Sequence, residues 1–130
     1  MKILQPAGWA KPKGYANGIE ARGRTIYVAG QIGWNAEQRF ETDDLAAQVE
    51  QTLRNTVAVL AEAGAGPEHI VRMTWYVVDK RAYLAAEKAI GVAYRAVIGR
   101  HFPVMTLVQV ADLLEDRAKV EIETTAVIPD

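Results

Sequence analysis

Glu121 and Glu123 are the acids best placed for chemistry in this chain. Val120, Ile122, Thr124 and Ala126 alternate with Glu121, Glu123 and Thr125, so both carboxylates share the polar face of a strand. Such a carboxylate can take a proton from water and return it to a leaving group, or it can simply sit solvated. Tyr15 follows Gly14 in a stretch rich in Gly, Pro and Lys, where its phenol can meet a ligand or pack that stretch onto the domain. Arg95, Arg100 and His101 gather near the end of a helical pattern, as an anion-binding group or as complements to the helix dipole. His69 and His101 lie too far apart in sequence to form a ligand-spaced motif, and there is no cysteine. Disulfides, thiolate metal sites and cysteine nucleophiles are excluded, and a structural zinc site lacks its donors.

These residues need a scaffold, and the spacing of apolar residues predicts one. Residues 5–18 read as an irregular segment. Ile19–Arg22 and Thr25–Gln31 read as short strands joined by a tight hairpin at Gly23-Arg24. Gly30 and Gly33 flank Gln31, which suggests a bend or a close approach to the backbone. Trp34 follows in a loop, placed either to roof a cleft or to shield the hairpin. Leu45, Val49, Leu53, Val57 and Leu60 then recur at helical spacing, with Thr42, Asp43 or Asp44 as N-cap and Gly64 as a left-handed C-cap. Ile70–Val78 switches to a period of two, with Trp75 on the core side. A second helix covers residues 81–98; Gly91 inside it costs roughly 1 kcal/mol relative to alanine. Strands at 104–110 and 118–127 close the chain.

The resulting order, ββαβαββ, predicts an α+β domain with a mixed sheet and both helices on one face. The other face is then open, and Met105, Leu107, Val127 and Trp34 are expected there among polar residues. Such a mixed surface suits an interface between copies, or a monomer with scattered exposed apolar side chains.

Size and composition set the outer bounds. At 130 residues the chain is one domain, residues 1–130. Half of it is hydrophobic, and 15 Lys and Arg stand against 16 Asp and Glu with no like-charge run. No nucleic-acid or membrane surface is expected. The N-terminus is not a signal peptide and no run approaches the ~18 apolar residues of a bilayer span, so a cytoplasmic location is the default.

Several segments together resemble the RidA (YjgF-type, L-PSP) family. Gly14-Tyr15-Ala16-Asn17-Gly18 matches its N-terminal G-P-Y-S-Q-A/G signature, and Ala29-Gly30-Gln31-Ile32-Gly33 matches its S-G-Q-I-P strand end. Gln48–Gly64 follows the family helix pattern with Asn55, Leu60 and Ala63 in register, and AKVEIETTAV at 118–127 matches its closing strand. The resemblance implies a chorismate-mutase-like fold, a homotrimer and ligand clefts between subunits. It also implies hydrolysis of small imines or enamines without a cofactor or metal, because an imine is already electrophilic. In such a site a tyrosine, a strand-end glycine and a water-positioning glutamate fall here on Tyr15, Gly30 and Glu121. Gln31 and Trp34 complete the strand end.

Three positions depart from the family pattern. The carboxylate-gripping arginine falls on Met105, a frequent cysteine on Leu107 and a helix asparagine on Gly91. Each charge-assisted hydrogen bond is worth about 1.5–3 kcal/mol, so losing a two-pronged grip weakens carboxylate binding by roughly two orders of magnitude. Two functions follow: an imine or enamine hydrolase using Glu121 and Tyr15, or a small-molecule-binding or sensing trimer that has lost the deaminase chemistry. A ribonuclease, also associated with the family, does not suit the near-neutral charge.

Overall fold

A computed structural model describes all residues from 1 to 130. Its elements are β1 (Lys2–Leu4), β2 (Gly18–Glu20), β3 (Arg24–Ile32), α1 (Leu45–Ala61), β4 (Ile70–Val77), α2 (Lys80–Ala85), α3 (Glu87–Val97), β5 (Val104–Gln109) and β6 (Val120–Ile128). Four strands form the main sheet in the order β3-β6-β4-β5. β6 runs antiparallel to both its neighbours, and β4 pairs in parallel with β5. The α2–α3 pair provides the crossover that the parallel pairing requires. No helix is long and apolar enough to cross a membrane.

The helix signals act as their chemistry suggests. Asp44 is the N-cap of α1, its carboxylate accepting from the Ala47 N–H at 2.9 Å. Gly64 sits at φ +74° just past the helix, where a side chain would be strained. Val49, Leu53 and Leu60 of α1 are fully buried against Trp75 and Met73 of β4 and Ile122 of β6. α1 and α3 pack against one another on one face of the sheet. The alternation in β6 is as expected, with Val120, Ile122, Thr124 and Ala126 all buried.

Gln48 is a polar exception within this core. It is fully buried, yet its amide donates to the carbonyls of Thr42 and Arg117 and accepts from the Lys119 N–H at 2.9 Å. It thus ties α1 to the loop leading into β6. Asn55 likewise donates to the carbonyls of Ile32 and Trp34 at 3.0 and 2.8 Å, fixing the end of β3 against the helix.

Three expectations are corrected. The hairpin at Gly23-Arg24 does not form: β2 pairs with β1, and β3 pairs with β6. Gly23, at φ +144°, is instead pressed onto the last carbonyl of β6, Ile128, where any Cβ would collide. The second helix is two, because Ala86 leaves helical geometry at φ −101°, ψ 4° and its N–H is shared between the carbonyls of Ala82 and Tyr83. Met105 and Leu107 do not lie on the open face. They pair with Met73 and Trp75 in the parallel register, which turns them toward the helices and the core. Val104, Met105, Leu107 and Val108 are all apolar, so alternation alone could not fix which set faces inward.

The open face carries Val127 as expected, together with Tyr27, Arg72, Tyr76, Glu121 and Glu123. Tyr27 is 80% exposed there. Tyr76 donates its hydroxyl to Glu123 Oε1 at 2.7 Å, and that bond, followed by burial, pushes the phenol above its ordinary range.

Candidate functional site

A cavity of about 520 Å³ opens between α3, β5 and the segment Lys13–Tyr15. Tyr15 reaches it because the next residue is anchored: Ala16 forms a parallel bridge with Val104, its N–H donating to the Pro103 carbonyl at 3.0 Å. The phenol remains 42% exposed at the cavity mouth. Met105 and Leu107 form one apolar wall. Opposite them stand Glu87, Gly91 and Arg95, spaced four residues apart and hence stacked along one stripe of α3.

Aromatic rings make the floor. Trp75, 2% exposed, meets Tyr83 edge-on at 6.5 Å and Tyr94 at 6.4 Å between ring centres. Tyr94 stacks on Phe102 at 5.7 Å and donates its hydroxyl to the His101 carbonyl at 2.6 Å. Burial raises the phenol of Tyr94 far above its usual pKa; burial and then the Glu87 carboxylate raise that of Tyr83. Both rings are therefore neutral walls at neutral pH. The Trp75 Nε1 donor is buried and has no partner within the protein.

Glu121 and Gly30 lie elsewhere, on the open face. Between Val28 and Gln31 the β3–β6 register slips by one residue, and Gly30 occupies that bulge. A Cβ at Gly30 would collide with the Glu121 carboxylate, whose carbon lies 2.8 Å from the position it would take. Gly33 has a similar reason: a Cβ there would meet Gln48 of α1 at 2.8 Å. Both glycines thus mark close approaches.

The anticipated site residues fall into two sets. Tyr15, Met105 and Leu107 share the cavity, while Gly30 and Glu121 share the bulge. The Gln31 amide turns back to the Ala29 carbonyl at 3.1 Å on its own strand. Trp34 tilts against Phe40 at 6.0 Å and lines neither place. Of Arg95, Arg100 and His101, only Arg95 lines the cavity; the His101 ring lies 2.7 Å from the Ile70 carbonyl. Lys13, Glu87 and Phe102 were not anticipated. The available signals were the two-residue spacing of Lys13 and Tyr15 and the helical spacing of Glu87 with Gly91 and Arg95.

Comparison with known proteins fits this architecture. The family model described as Endoribonuclease L-PSP matches residues 9–128. A RutC family protein of Synechocystis is 32% identical over 99% of this chain and 98% of its own. The 2-iminobutanoate/2-iminopropanoate deaminase of Escherichia coli K12 is 34% identical over 87% of this chain and 86% of its own. Among solved structures, the Rid family protein YyfB of Yersinia pestis superposes with a TM-score of 0.85 at 34% identity, over 98% of each chain. The chain belongs to the RidA (YjgF/L-PSP) family.

Proposed function

We propose that this protein is a homotrimer whose clefts, each formed between two subunits, bind a small metabolite and hydrolyse an imine or enamine. One observation carries the reading. The residues with matching chemistry form two half-sites, a cavity with Tyr15, Met105 and Leu107 and a bulge with Gly30 and Glu121 on the other face of the sheet. A cleft between copies unites them, with the cavity of one subunit facing the open sheet face of the next. That open face, with Tyr27 and Val108 exposed beside Tyr76 and Glu123, is a mixed surface of the kind that interfaces use.

In this cleft Glu121 accepts a proton from water as the oxygen attacks the imine carbon. Glu121 passes that proton to the nitrogen as the C=N double bond becomes a single bond, giving a carbinolamine. Its carboxylate then takes the hydroxyl proton and delivers it to the amine as the C–N bond breaks, releasing ammonia and leaving a carbonyl compound. Tyr15 hydrogen-bonds the substrate and orients its imine carbon toward that water. The similarity to a 2-iminobutanoate/2-iminopropanoate deaminase supports this reaction class.

The test is ammonia release while a pyridoxal-phosphate lyase generates imines in the presence of the protein. Faster release than in buffer, abolished by Glu121→Gln, is expected. Imine decay at the buffer rate would overturn the hydrolase reading and favour a binding or sensing trimer. Light scattering should give three times the 14.3 kDa chain mass; a monomeric mass would exclude a cleft between subunits.

A further inference from the structure

The Arg95 side chain has no hydrogen bond and no ion pair within the chain, although it borders a concave, aromatic-lined cavity. Its guanidinium lies across Gly91: a Cβ added there would meet Nη1 at 3.3 Å and Nη2 at 3.9 Å. The missing side chain at Gly91 gives the guanidinium room to lie along the helix at the cavity edge. The acid on the same stripe, Glu87, is two turns away, about 12 Å along the axis, and it pairs with no cation. Opposite Arg95 stands the methionine–leucine wall, which offers no donor. Lys13 is the other cation of the lining, but it belongs to an irregular segment and carries a point charge, whereas Arg95 presents a planar fork from a helix.

We propose that Arg95 grips the carboxylate of the ligand, and that the ligand is a small monocarboxylate whose apolar side chain packs on Met105 and Leu107. The 2-iminobutanoate and 2-iminopropanoate for which the similar Escherichia coli deaminase is named are themselves monocarboxylates. The grip thus comes from the helix, and the strand position that would otherwise hold an arginine is free to contact an apolar side chain. Glu87 at the far end repels a second carboxylate, so dicarboxylates are disfavoured. This assignment rests on the cavity being the ligand site of the function proposed above.

Calorimetric titration with 4-methyl-2-oxopentanoate, a stable keto analogue of a 2-imino acid, tests it. Wild type should bind this carboxylate about tenfold or more tightly than its primary amide, and more tightly than 2-oxoglutarate. Arg95→Gln should erase the preference for carboxylate over amide, Arg95→Lys should restore part of it, and the exposed Arg100→Gln should leave it intact. An Arg95→Gln protein with an unchanged carboxylate-to-amide ratio would overturn the assignment, as would a wild type that binds neither probe. Failure of the hydrolase reading looks different: binding that depends on Arg95, with no imine turnover.

Discussion

Gly30 and the Glu121 carboxylate stand so close across the β3–β6 pair that no side chain fits between them. The bulge between Val28 and Gln31 creates this contact by inserting one residue into β3. The missing Cβ at Gly30 leaves the space that the Glu121 carboxylate occupies, and any side chain there would displace it.

Gly30→Ala is expected to push Glu121 aside while leaving the cavity around Tyr15 untouched. Displacements of about 1 Å can cost roughly 100-fold in rate, so turnover should fall at least tenfold. Affinity for a carboxylate ligand should stay within about threefold. Steady-state kinetics and calorimetry on the same preparation check this split; equal losses in both would argue that the bulge serves folding alone.

Glu121→Gln should leave stability within about 0.5 kcal/mol, because the side chain lies on the open face of the sheet and makes no hydrogen bond or ion pair. Imine hydrolysis should fall by roughly 100-fold or more, the usual contribution of a positioned acid–base group. Thermal melts and the coupled ammonia assay report the two quantities separately.

Tyr94→Phe removes the hydroxyl that donates to the His101 carbonyl at 2.6 Å, at a cost of about 1 kcal/mol at neutral pH. The pH dependence has a definite sign. Burial raises this phenol above the ordinary tyrosine value of about 10, so above about pH 10 the folded state holds a proton that the unfolded state releases. The contribution is complete below pH 10 and is lost as pH climbs toward the folded-state pKa. Denaturant titrations at pH 8 and 11 should show a steeper decline for wild type than for Tyr94→Phe.

Gln48→Leu keeps the volume but strands two carbonyls and the Lys119 N–H in a dry site. A loss of about 3 kcal/mol is expected from several buried groups left unpaired. A urea midpoint within error of wild type would contradict the role given to Gln48.

Much of the fold could be read from residue spacing because the informative residues act locally. Asp44 caps the helix that follows it, Gly64 ends that helix, and residues 120–126 alternate because one face is dry. What could not be read depends on partners distant in the chain. Gly23-Arg24 has the composition of a turn, yet Gly23 serves a close approach by Ile128. Met105 and Leu107 sit in an apolar run whose phase is set by pairing with Met73 and Trp75. Tyr15 and Glu121 were both identified as site residues, but their separation on opposite faces of the sheet is a property of the fold, not of either segment. Arg95 is legible only once Gly91 is known to lie beneath its guanidinium.

The two half-sites are tested most directly by complementation. Tyr15→Phe and Glu121→Gln chains, each inactive alone, are unfolded together in equal amounts and refolded. In a ring of three, a mixed trimer holds one cleft with both native residues, so random mixing should recover about a quarter of wild-type turnover. Activity no greater than the sum of the separately refolded variants would contradict a cleft that takes Tyr15 from one subunit and Glu121 from its neighbour.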